Sequence, residues 1–149
     1  MSSKSEDRVK QIIVMRKNYS DKDGKSVGLR RGKEIAQGAH ASMAFLSHRI
    51  REVGTLDLTE SGGMTATIHL TEPEMLWLRG LFAKVTLQVE GEAELIEIYE
   101  RAKHFGLKAY MIEDSGLTEF GGVKTKTAVG IGPDFASKID PVCGHLKLY

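Results

Sequence analysis

Four β-prone runs, Val9–Arg16, Lys84–Val89, Leu107–Glu113 and Thr125–Gly132, alternate with stretches of helical periodicity. A chain ordered in this way buries its strands by layering helices over them. The prediction is an α/β fold: a single-domain three-layer sandwich, with a mixed four-stranded sheet flanked by helices on both faces. Helices are predicted over 31–51, from Thr71 to about Gly80, over 92–104 and, briefly, after Pro133. The second has the clearest start, because Thr71 can cap it, Pro73 suits a first turn and Glu74 holds the capping-box position. In the third, Leu95, Tyr99, Ala102 and either Phe105 or Leu107 face the core. Stretches 17–30 and 54–63 read as loops, 64–70 includes a short extended piece, and His145–Tyr149 closes the chain. The 149 residues suit one domain spanning 1–149, with 1–8 as a flexible lead.

Composition narrows the class. One cysteine, Cys143, excludes an internal disulfide and suits a reducing compartment. It lies in an apolar segment with no base beside it in sequence, so it reads as a small packed hydrophobe rather than a nucleophile. The five histidines are scattered without zinc-type pairing, so no metal is expected. No apolar run approaches the ~18–20 residues of a membrane span. The first eight residues contain no apolar stretch of the secretory kind, which leads us to expect a cytoplasmic protein with no membrane partner. Net charge is +1, yet residues 1–40 hold ten Lys and Arg against five Asp and Glu, while residues 52–100 hold two against ten. One side of the molecule should be basic, either for solubility or to meet a polyanion.

Candidate chemistry collects near the ends of two strands. Lys33, Gln37 and His40 follow i, i+4, i+7 spacing on the first helix, close to an N-terminus whose dipole favours an anion. The same pattern suits a solvated face with an incidental histidine. Ile35, Ala39, Ser42, Leu46 and Ile50 lie opposite, on the predicted core side. Asp114 follows the third strand and opens Asp-Ser-Gly-Leu-Thr, which reads as a turn or as a site at a strand's carboxyl end. If the first and third strands are parallel neighbours, Asp114 and Lys33 meet in one cleft. Thr125 and Thr127 share a strand face, with Lys124 and Lys126 on the other. Thr118 and Thr127 approach Asp114 if segment 115–124 doubles back. Such a cluster could activate water and stabilise an oxyanion. The absence of a G-x-S-x-G elbow and of a P-loop removes support for a serine nucleophile and for nucleotide hydrolysis.

Three segments together resemble the second type of peptidyl-tRNA hydrolase, the class typical of archaea and eukaryotes. The opening pattern is Ile12-Ile13-Val14-Met15-Arg16, a basic glycine-containing loop, then Gly32-Lys33-Glu34-Ile35-Ala36-Gln37-Gly38-Ala39-His40-Ala41. The second is Asp114-Ser115-Gly116-Leu117-Thr118-Glu119. The third is Thr127-Ala128-Val129-Gly130-Ile131-Gly132-Pro133 followed by Gly144-His145-Leu146-Lys147-Leu148-Tyr149. The likeness covers most of the chain in the right order. Departures are a longer loop between Arg16 and Lys33, an inserted stretch within 52–70, Leu117 where an Arg is usual, and Gly121-Gly122 in place of prolines.

The resemblance implies hydrolysis of the ester between a peptide and the terminal ribose of tRNA, without metal or organic cofactor. It also implies a homodimer. It carries an active cluster onto Lys33, Gln37, His40, Asp114, Thr118 and Thr127. Lys33 would face the oxyanion or a phosphate, Asp114 or His40 would orient or deprotonate water, and the threonines would hold the carboxylate or the ester. Lys17, Lys22, Lys25, Arg30 and Arg31 would meet phosphates at the acceptor end of the tRNA. Two rival readings are a non-catalytic tRNA-binding or adaptor protein of the same fold, and a small-molecule esterase with no RNA partner.

Overall fold

The computed structural model describes residues 8–52, 56–116 and 120–149. Residues 1–7 of the expected flexible lead lie outside these, while the Arg8 carbonyl accepts the Ala136 N–H. In chain order the elements are β1 (Val9–Arg16), β2 (Tyr19–Ser20), β3 (Ser26–Val27), α1 (Arg31–Glu52), β4 (Leu56–Leu58), β5 (Met64–Ala66) and α2 (Glu72–Arg79). There follow β6 (Lys84–Val89), α3 (Glu92–His104), β7 (Ala109–Asp114), β8 (Thr125–Phe135), α4 (Ala136–Cys143) and β9 (Lys147–Leu148).

The α/β class holds, with one strand more than expected. The sheet has five strands in the order β7-β8-β1-β6-β9. The addition is β9, two residues pairing antiparallel with β6, too short to carry a periodic signal. β1 runs parallel to β6, while β8 runs antiparallel to both β1 and β7. The first and third long strands of the sequence reading that frame the site, β1 and β7, are therefore parallel but not neighbours, because β8 lies between them. β8 also continues three residues past Gly132 to Phe135. The predicted loop 17–30 contains a small antiparallel ribbon, β2 with β3. Within the predicted loop 54–63, β4 pairs antiparallel with β5, which lies in the stretch 64–70 expected to include a short extended piece. In the first ribbon, the Asp21 carboxylate accepts the N–H groups of Asp23 and Lys25, and Gly24 takes a positive φ to close the turn.

Each face of the sheet buries a different kind of helix. On one, Ile12, Val14, Leu87, Val89, Val129 and Ile131 pack against Leu95, Ile98 and Ala102 of α3 and Ile139, Val142 and Cys143 of α4. Leu107 closes this core, whereas Phe105, its alternative in the sequence, is exposed. Cys143 packs as a hydrophobe, and burial pushes its thiol up to about 11. On the other face, Ile13, Met15, Ile112 and Ala128 meet Ala41 and Ala44 of α1.

The orientation of α1 corrects the sequence reading. The inward face is Gln37, Ala41, Ala44 and Phe45. Of the residues expected in the core, Ile35 and Ile50 are 67% and 39% exposed, Ala39 is exposed too, and Ser42 and Leu46 are half-buried. Met43, on the same outer side, is 55% exposed. Backbone approach decides this. A methyl group on Gly130 would meet the Ala41 carbonyl oxygen at 2.2 Å, so the helix lies too close to β8 for large side chains between them. The far half of α1 is fixed by α2, where Phe45 meets Trp77 edge-on at 5.8 Å. Arg49 grips the buried Glu74 carboxylate bidentately at 2.7 and 2.6 Å. Thr71 and Glu74 form the expected capping box at the start of α2.

Candidate active site

The N-terminal turns of α1 are held over the carboxyl end of β7, and two polar side chains bridge the gap. Lys33 Nζ donates to Asp114 Oδ1 at 2.7 Å, and Gln37 Nε2 donates to the same oxygen at 3.3 Å. Thr127 on β8 donates its hydroxyl to Gln37 Oε1 at 2.5 Å. These two bonds fix the orientation of the Gln37 amide, since its oxygen accepts and its nitrogen donates. Gln37 and Thr127 are buried, and Lys33 and Asp114 sit at the solvent boundary with side chains 13% and 10% exposed. A lysine, an amide, a hydroxyl and a carboxylate from three elements thus form one chain of contacts.

Asp114 also makes the turn that its sequence motif predicts. Its second oxygen, Oδ2, accepts the Gly116 N–H at 2.9 Å, which is the turn. Gly116 has φ +78, and a Cβ there would lie 2.1 Å from the Val123 carbonyl oxygen, so only glycine fits. The Gly122 N–H donates back to the Gly116 carbonyl at 2.8 Å, so this segment does double back. Thr118 falls within 117–119, outside the described residues. Burial alone would raise the Asp114 carboxyl. The hydrogen bonds from Lys33, Gly116 and Gln37, with the Lys33 charge, outweigh it and hold the group below its ordinary carboxylate value.

His40 stands apart from this cluster. It lies about 60° around the helix from Gln37. It is exposed and lines a separate depression with Met43, Ser47, His48, Arg51 and Glu113. The spacing that places it with Lys33 overlooks which side of α1 the sheet takes up.

Tyr19 was not singled out by the sequence reading, yet it underlies the site. Its buried hydroxyl donates to the Thr127 carbonyl at 3.4 Å, the Arg16 guanidinium lies 4.4 Å from its ring centroid, and Phe120 tilts against it at 5.2 Å. Burial pushes its phenol well up, so it stays protonated. An aromatic side chain alone in a polar, lysine-rich loop was the available signal. At the far end of the chain, Tyr149 donates its hydroxyl to Glu34, beside Lys33, and its N–H to the Thr86 carbonyl at 3.0 Å. Lys17, Lys22, Lys25, Arg30 and Arg31 are all exposed, on or next to the β2–β3 ribbon that Tyr19 roots beside the cluster. Among the described residues no three His, Cys, Asp or Glu side chains converge to hold a metal ion. None of the described helices is long and apolar enough to cross a membrane.

Comparison with known families supplies the class, since the family model described as peptidyl-tRNA hydrolase PTH2 matches residues 9–149. The chain belongs to this family. Among its relatives, the peptidyl-tRNA hydrolase of Methanocaldococcus jannaschii is 35% identical over 141 residues, which cover 94% of this chain and 99% of that protein. The peptidyl-tRNA hydrolase of Methanopyrus kandleri is 38% identical over 140 residues, covering 93% and 97%. A bovine relative, named peptidyl-tRNA hydrolase 2, mitochondrial, is 32% identical over 142 residues, covering 94% of this chain and 64% of its own length.

Proposed function

We propose that this chain hydrolyses the ester joining a peptide, or an N-acyl-amino acid, to the 3'-terminal ribose of tRNA, and that the cluster around Asp114 performs the reaction. The family supports the activity. The observation that carries the site is the shared hold of Lys33 and Gln37 on one oxygen of Asp114. Two donors occupy Oδ1 and one backbone N–H meets Oδ2, which leaves Oδ2 acceptor capacity for a water. With its pKa held low, Asp114 is ionised at neutral pH and orients that water toward the ester carbonyl carbon. Water oxygen bonds to the carbonyl carbon, and negative charge gathers on the former carbonyl oxygen, where the Lys33 ammonium offsets it. Collapse breaks the acyl carbon–oxygen bond and releases the peptide acid and the ribose hydroxyl of the tRNA, the proton passing from water to that hydroxyl.

Thr127 acts through Gln37 rather than on the ester, since its hydroxyl hydrogen is engaged there. Thr118 belongs to the proposed set through its motif, and His40 belongs to the approach rather than to the cluster. In this reading the acceptor end of tRNA is met by the basic ribbon through phosphates, a homodimer forms over the outward face of α1, and the protein acts in the cytoplasm. The reaction as proposed uses protein groups and water.

The test is release of labelled N-acetylamino acid from N-acetylaminoacyl-tRNA by wild type, Lys33→Ala and Asp114→Ala. Turnover in wild type that falls at least 100-fold in both variants supports the assignment. Full activity in either variant removes that residue from the site. Tight tRNA binding without wild-type turnover would instead support the adaptor reading.

A further inference from the structure

The sheet ends on two very different edges. One is β9, two residues long, the usual way to blunt an edge. The other is β7, six residues long, whose only strand neighbour among the described residues is β8. The Gly132 N–H donates to the Lys108 carbonyl at 2.9 Å, and Tyr110 and Ile112 lie opposite Gly130 and Ala128 in the same alternating phase. Paired residues alternate along an antiparallel ladder, so Ala109 and Met111 turn their N–H and C=O groups outward. The edge is also open. A depression of about 400 Å³ runs between His48 of α1 and Tyr99 of α3, with Ala109, Tyr110 and Met111 as its floor. A second, of about 460 Å³, continues past Glu113 to His40, one turn of α1 beyond Gln37. Both depressions lie along β7, the strand whose last residue is Asp114.

We infer that β7 binds the peptide portion of peptidyl-tRNA as an added strand. The inference rests on the activity proposed above, and three observations support this occupant over others. The strand that floors the groove ends at Asp114, in the cluster. Recognition through main-chain groups does not depend on side chains, which suits a substrate whose peptide sequence is arbitrary. Chain direction is also fixed, because the ester sits at the carboxyl end of the peptide and must reach Asp114 at the carboxyl end of β7. The peptide thus runs parallel to β7, pairing with the outward groups of Ala109 and Met111. The strand, at about 3.3 Å per residue, accommodates four or five peptide residues.

The experiment measures KM for four substrates on one tRNA: N-acetylalanyl, N-acetyltetraalanyl, and two versions of the tetrapeptide with alternate amide nitrogens methylated in opposite registers. Two main-chain hydrogen bonds should lower KM of the tetrapeptide roughly tenfold below that of the single residue. Methylation in one register should abolish the gain, and in the other should preserve it. Equal KM for all four, or equal loss in both registers, would overturn strand pairing while leaving the hydrolase intact. An edge sealed by a second copy of the chain would give the same indifference and count against the proposal. Failure of all four to turn over would overturn the activity and this inference together. Met111→Pro removes one outward donor at a position where an edge strand tolerates proline. In a variant with wild-type far-UV circular dichroism, KM for the tetrapeptide should rise about threefold, and an unchanged KM would overturn the proposal. If that variant does not fold, the substrate series decides.

Discussion

At the scale of the residue, Asp114 is shaped by the donors around it: the ammonium of Lys33, the amide of Gln37 and the N–H of Gly116. They hold its pKa below the value of an unfolded chain, against the opposing effect of burial. The sign of the linkage follows. Stability contributed by these contacts is fully present above the unfolded carboxylate value near 4, and is lost as pH falls through the lower folded value. Melting temperature and kcat should therefore be insensitive to this group between pH 7 and 5, with its loss confined to more acid solution. Asp114→Asn should lower kcat about 100-fold and remove this group's share of the acid destabilisation. A variant that keeps wild-type kcat, or one whose acid destabilisation matches wild type, would contradict the assignment. Lys33, Gln37, Asp114 and Thr127 were legible because chemistry and motif spacing named them without knowledge of packing. Tyr19 was not, since its burial depends on a ribbon folding back across the strand ends, which no local pattern reveals. His40 was misplaced for a related reason: helical spacing defines faces but not which face the sheet covers.

The same limit reappears at the scale of the element. The borders of β6 and α3 were readable to the residue, because alternation and a well-separated helical run left no competing period. The large apolar residues of α1 pointed to the wrong core face, because its contact with β8 is set by backbone proximity at Gly130. That reversal leaves Ile35, Met43 and Ile50 aligned on the outer side of one helix, with Ala39 also exposed between them. Single exposed apolar side chains are ordinary, but an aligned set along several turns marks a contact surface. The homodimer we propose buries this stripe. Sedimentation at micromolar concentration should give twice the 16.4 kDa chain mass for wild type and the monomer mass for Ile35→Lys with Met43→Lys. A monomeric wild type would refute the dimer without touching the active cluster, which is built within one chain.

Over the whole molecule, charge is divided by chain position: the first forty residues are rich in Lys and Arg, and residues 52–100 are acidic. The fold converts this division into geometry. The β2–β3 ribbon and the start of α1 keep Lys17, Lys22, Lys25, Arg30 and Arg31 at the surface. On the face of the sheet opposite α1, α3 carries exposed Glu94, Glu97 and Glu100, and Glu92 at its start pairs with Arg16 at 3.5 Å. A tRNA acceptor arm presents regularly spaced phosphates beside a single-stranded end, so its attraction to such a surface depends on salt more than on sequence. Each phosphate neutralised releases condensed counterion, and the slope of log affinity against log salt counts those contacts. Arg30→Gln with Arg31→Gln should therefore raise KM for N-acetylaminoacyl-tRNA and reduce the magnitude of its salt slope by about one to two. The chemical step should respond little, because neither side chain belongs to the cluster proposed to act on the ester. A slope unchanged by the double substitution would move the phosphate contacts off this part of the ribbon. A KM insensitive to salt even in wild type would favour a small ester as substrate, since a neutral ester has no counterions to release.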